Sequence, residues 1–158
     1  MASTGMAPIQ ANERAQQIDQ RAAVAKMVIA ARARAGAKWF YWIAGLSMIN
    51  SLAVMSGSNF HFVVGLGITS VVDVMARQAG SMGSVLDIVI NGFVSGAFVL
   101  FGYFAVKAQK WAFLVGMGIY ALDGLLLLAA KDYLGVGFHA YALFAIYRGL
   151  QAAEQVQG

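Results

Sequence analysis

Five apolar stretches, residues 39 to 56, 60 to 76, 85 to 106, 111 to 130 and 134 to 150, follow one another with only a few residues between them. At ~1.5 Å per helical residue, stretches of this length match the ~30 Å hydrocarbon core of a bilayer. Inside lipid every backbone amide must be bonded within its own segment or a closed barrel. The sequence therefore predicts an all-α fold: an integral membrane helical bundle of about five transmembrane helices, preceded by an N-terminal amphipathic helix.

Composition agrees. Of 158 residues, 60% are hydrophobic and 11% charged, against roughly 25% charged in soluble domains. The chain divides into a disordered N-terminus (1–11), a cytoplasmic or interfacial amphipathic helix (12–37), the bundle (38–150) and a short polar tail (151–158). The 18 glycines suit close helix packing. The single proline leaves few broken helices of the kind transporters use at ion sites. No cysteine is present, which removes disulfides, iron-sulfur clusters and thiolate chemistry. The first twenty residues lack the apolar core of a signal peptide, so insertion is expected to rely on the first span.

The net charge of +4 is unevenly spread. Arg14, Arg21, Lys26, Arg32, Arg34 and Lys38 precede the first span. Alternating five crossings adds Arg77 and Lys131 to that side and leaves Lys107, Lys110 and Arg148 opposite. Lys/Arg excess marks the cytoplasmic face, which predicts a cytoplasmic N-terminus, an external C-terminus and no nucleic-acid partner. In the leader, Ile18, Ala22, Ala25 and Ile29 recur at helical spacing, with Val24 and Val28 beside them. This stripe predicts a helix over 12–35, ended by Gly36, that lies on the inner leaflet, docks a partner helix or only sets topology.

Polar residues inside the spans are the candidate sites. Ser47, Asn50 and Ser51 form a small polar strip on the first span, and Asn50 and Asn91 are candidates for interhelical hydrogen bonds. Gly92 and Gly96 make a G-x-x-x-G on the third, expected to pack within the molecule ahead of a dimer seam. F-V-V-G-L-G-I-T-S-V-V-D (62–73) and F-L-V-G-M-G-I-Y-A-L-D (113–123) resemble one another, which predicts two related hairpins and places an aspartate in each copy. Thr69, Asp73 and Arg77 share a helical face, so Asp73 has local partners. Asp123 has none nearby: either another helix supplies one, with Asn50, Asn91 or a tyrosine as candidates, or the carboxyl carries a proton.

His61 and His139 fall on opposite faces under five crossings, which argues against a shared haem, and interfacial packing is the expected role of each. No metal or cofactor site and no phosphate or dinucleotide fingerprint is found. An enzyme is not expected, because the loops are short and the spans lack a nucleophile with a base.

The segments W-A-F-L-V-G-M-G-I-Y-A-L-D-G (111–124), D-Y-L-G-V-G-F-H-A-Y-A-L-F-A-I-Y-R-G-L (132–150), W-I-A-G-L-S-M-I-N-S (42–51) and G-L-G-I-T-S-V-V-D (65–73) resemble a group of small bacterial multispanning membrane proteins with no assigned activity. The resemblance implies a bacterial inner-membrane location and a bundle, and transfers no functional residue. The expected function is association, as a homo-oligomer or an accessory subunit of a membrane complex, with lipid and other membrane subunits as partners. The alternative is a proton- or ion-coupled carrier or channel using Asp123 and Asp73.

Overall fold

The computed structural model describes residues 6–56, 66–68 and 80–157. Among them are four long helices and no strand: α1 (Met6–Met55), α2 (Gly80–Val106), α3 (Lys110–Ala129) and α4 (Tyr133–Gln157). Thr69, Asp73, Arg77 and His61 lie outside the described residues, as does most of the apolar stretch 60–76.

The first correction concerns the N-terminal helix. It begins at Met6, inside the stretch expected to be disordered, and does not stop at Gly36: α1 is one helix of 50 residues. Its buried positions, Ala33, Gly36, Ala37, Phe40, Ile43, Ala44, Ser47, Asn50 and Ser51, recur every three or four residues without interruption. Pro8 is the sole proline, so nothing after it breaks the hydrogen-bond ladder, and helices without such breaks curve only gently. Gly36 serves packing instead. A methyl group there would collide with the Gly149 Cα, and one on Gly149 would fall 2.6 Å from the Gly36 Cα. The backbones of α1 and α4 touch at this point, which only two glycines permit.

Short turns set the neighbours. Ala108 (φ 59°) and Lys131 (φ 60°) adopt the left-handed conformation that closes helix ends. After the second turn the Asp132 carboxylate accepts the Gly135 N–H at 3.0 Å, capping the start of α4. Hairpins this tight make α2 and α3, and α3 and α4, antiparallel neighbours.

The described helices do not confirm the expected bundle of five crossings: α1 and α2 run antiparallel, and two helices are long and apolar enough to span a membrane. Phe40 packs on Phe98 and Phe101 with ring centroids 6.2 Å apart, while Ser51, three turns further on, bonds Asn91. The two helices are antiparallel, so α2 starts at the end of the bundle where α1 finishes. A full crossing between them would have made them parallel. The chain therefore leaves α1 and enters α2 at one end of the bundle, and between them Leu66 and Gly67 are buried while Ile68 is 39% exposed. The first F-x-V-G copy, 62–73, lies outside the described residues apart from 66–68.

The ends of the described helices group as follows. The Gln157 side chain donates to the Ala108 carbonyl at 2.7 Å, which sets the end of α4 beside the α2–α3 turn, at the end from which the leader emerges. Lys107, Lys110 and Arg148 join the six leader cations there, so nine of the eleven basic residues lie toward one end. Lys131 is at the other.

Ile88–Val106 and Lys110–Ala129 are long and apolar enough to cross a membrane, and only 28% of each is buried inside the bundle. Tyrosines, His139 and Arg148 dilute the apolar character of α4, and α1 is mostly polar leader. Gly92 and Gly96 have open space where a Cβ would sit, and Phe93 between them is 79% exposed. The expected packing role of this G-x-x-x-G within the molecule is therefore not met among the described residues. Alanine at both positions is expected to leave the solubilised monomer unchanged or more stable by up to about 1 kcal/mol each, from reduced backbone entropy. A loss of stability in a denaturant titration would show that a neighbour covers this face.

Candidate functional site

The interior changes character along its length. Near the leader end it is aromatic: Phe40 meets Phe113 at 6.1 Å and Phe98 meets Tyr120 at 6.0 Å. Beyond Tyr120 it becomes polar. Asp123 on α3 and His139 on α4 are 4% and 1% exposed, with Nε2 of the imidazole 2.8 Å from Oδ2 of the carboxylate. The Tyr120 ring stacks on the imidazole at 4.1 Å and 16°.

Asp123 also holds the chain between α1 and α2. Its Oδ2 accepts the Gly67 N–H at 2.7 Å and its Oδ1 the Ile68 N–H at 2.8 Å. Residues 67 and 68 are helical and residue 66 is not, so the carboxylate meets amides that open a helical turn, where donors lack partners of their own. Beside it the Leu66 N–H donates to Ser47 Oγ at 3.0 Å, and the Ser47 hydroxyl donates to the Ile43 carbonyl at 2.8 Å. Gly67 packs closely: a Cβ there would sit 2.7 Å from Leu127 Cδ2, so the leucine side chain would have to move. One layer further, the Asn91 amide donates to Ser51 Oγ at 2.8 Å, and Asn50 is buried nearby on α1. All four helices and residues 66–68 thus contribute to two adjoining polar layers.

Proton positions follow from these partners. Nδ1 of His139 lies 2.9 Å from the Gly135 carbonyl, which can only accept, so Nδ1 carries hydrogen. Nε2 and Oδ2 share one further proton. The pair is either imidazolium with carboxylate or imidazole with carboxylic acid, and its net charge is zero in both forms. Both ring nitrogens are engaged, leaving no free edge to activate a nucleophile. Among the described residues no three His, Asp or Glu side chains come together as metal ligands do, while Ser95 Oγ and Tyr120 Oη are buried without a hydrogen-bond partner.

Sequence reasoning singled out Asp123 and left it either a partner from another helix or a proton, without naming His139. His139, expected at an interface, is in the core. The signal was available: Asp123 and His139 each stand eight residues from Lys131, the pivot of the α3–α4 turn, and residues equidistant from such a pivot face one another in an antiparallel pair. Leu127 and Gly135, in contact, are each four residues from it. Asn50 and Asn91 lie in the polar layer adjoining that of Asp123, whereas Gly92 and Gly96 face outward.

Compared with family models, curated proteins and solved structures, the chain matches none.

Proposed function

We propose that the chain is an integral membrane protein of four crossing helices that works by association, as a homo-oligomer or an accessory subunit of a membrane complex, and carries out no reaction itself. The observation that carries the reading is the leader. Every residue from Gln10 to Val28 is exposed, although Ile18 (66%) and Met27 (64%) are large and apolar. Most helical stability in proteins comes from packing an apolar face, so an unpacked apolar stripe on this stretch calls for a partner.

Continuity of α1 bears on where the leader goes. If residues 39–55 cross the bilayer, the helix that runs straight on from them projects away from the membrane and does not lie in its surface. At ~1.5 Å per residue the stretch from Met6 to Val28 reaches about 35 Å into the cytoplasm, a span suited to docking another helix.

The membrane reading is supported by a belt of aromatic residues. All three tryptophans sit at one level: Trp111 packs on Phe104 at 5.1 Å, and Tyr41, next to Trp42, abuts Gly102. Interfacial aromatics of this kind mark the headgroup level. From that level α3 runs 20 residues to Ala129, about 30 Å. Nine basic residues lie at or outside it, which favours a cytoplasmic leader, in a bacterial inner membrane.

Because the chain has no cysteine, single replacements test association cleanly. Ile18→Cys and Val28→Cys are expected to cross-link in membranes, to a second copy or to another subunit, at least fivefold more than Gln17→Cys. Equal cross-linking at all three, with a detergent particle of one 16.8 kDa chain, would refute the proposal.

A second reading, a proton-coupled carrier, is favoured by the shared proton between Nε2 and Oδ2. Reconstituted liposomes under an imposed potential are expected on this reading to take up protons well above empty vesicles, and Asp123→Asn to abolish the difference. No uptake by the parent would end it.

A further inference from the structure

A groove of about 310 Å³ runs between α1 and α4 near the leader end, lined by Arg32, Trp39, Arg148, Gln151 and Gln155 over a floor of small residues. We propose that it binds the phosphate of an anionic phospholipid headgroup. The inference rests on the membrane reading above and adds a ligand to it.

The groove exists because of the glycine crossing. Gly36 and Gly149 bring two backbones together, and Gly36, Ala145 and Ala152 leave the seam unfilled while the long side chains on either side stand clear of it. Its charged groups are both cations, and the two glutamine amides can each present an N–H. No carboxylate lines it, and among the described residues neither guanidinium has an acidic partner; that of Arg148 lies 5.9 Å from the Phe144 ring. Two guanidinium forks and two amides facing one space match a phosphodiester, whose oxygens accept paired N–H bonds from arginine.

The level of the groove argues for lipid over free phosphate. Trp39 stands at its membrane edge, edge-on to Tyr141 at 5.4 Å, and both Tyr141 and Trp42 expose apolar surface along which acyl chains would lie. Arg32 is seven residues further out, about 10 Å, within the headgroup layer. Basic pockets between membrane helices on the cytoplasmic side bind such headgroups.

Native mass spectrometry of the detergent-solubilised full chain, titrated with phosphatidylglycerol or phosphatidylcholine, tests this. The parent is expected to retain phosphatidylglycerol preferentially, and Arg32→Gln with Arg148→Gln to weaken retention about tenfold. Arg14→Gln with Arg21→Gln, an equal loss of charge away from the groove, is expected to change it less than twofold. Equal weakening in both double variants, or none in the first, would overturn the proposal. So would displacement of the lipid by millimolar inorganic phosphate, which would mark the ligand as a free anion. Flotation with pure phosphatidylcholine vesicles separates the two levels of inference. A chain that floats but shows no headgroup preference loses this site alone, and one that does not float contradicts the membrane reading as well.

Discussion

Replacing Asp123 with alanine is expected to destabilise the fold by about 3 to 5 kcal/mol, the range seen when one partner of a buried pair is removed. The loss has three parts. The Gly67 and Ile68 amides lose their acceptor, and Nε2 of His139 loses its partner, the Gly67 and His139 bonds being buried and that of Ile68 part-buried. Each orphaned group costs about 1 to 3 kcal/mol, moderated where the unfolded chain in a membrane finds other partners. Asp123→Asn is expected to cost less, about 1 to 3 kcal/mol. Its carbonyl still accepts from Ile68 and its amide can donate to a neutral imidazole, but that amide also points a donor at the Gly67 N–H. Helical signal during a denaturing-detergent titration would order the proteins as parent, Asn, Ala. Two variants within about 0.5 kcal/mol of the parent would mean that the carboxylate does not hold residues 66–68 in place.

The second large effect belongs to the glycine crossing. Gly149→Val is expected to cost at least about 3 kcal/mol, the upper end for overpacked cores, because the obstacles are the Gly36 Cα at 2.6 Å and Phe113 Cε1 at 3.1 Å. A side chain can swing aside, but a helix backbone moves only as a unit, so α1 and α4 must separate. Gly118→Ala on α3, where a Cβ would meet open space, is the contrasting change and is expected to be neutral or stabilising by up to about 1 kcal/mol. Similar melting for both would place the α1–α4 contact elsewhere.

Much of this arrangement was legible in the sequence. Helical class, the apolar lengths of α2 and α3, and the need of Asp123 for a partner all follow from composition and spacing. The unbroken α1 was legible too, since the small-residue stripe from Ala22 through Ala33, Gly36 and Ala37 to Phe40 keeps its period across Gly36. Reading that glycine as a stop gave weight to local propensity where packing decides. The stretch 60–76 lies outside the described residues apart from 66–68, so only its hydropathy speaks for a crossing. Alternating five crossings placed His139 at a membrane face, whereas its side chain is buried in the bundle. Counting outward from Lys131 would have restored the pair without any knowledge of the stretch 60–76.

Residue-by-residue accessibility in intact cells tests the four-crossing arrangement most directly, using single cysteines at Gln10, Ala108, Lys131 and Gln157 in a chain that otherwise has none and a thiol reagent that does not cross membranes. The account predicts protection from outside at positions 10, 108 and 157, labelling of these three only after the membrane is opened, and direct labelling at 131. Labelling of position 157 from outside, with position 10 protected, would restore five crossings and contradict it.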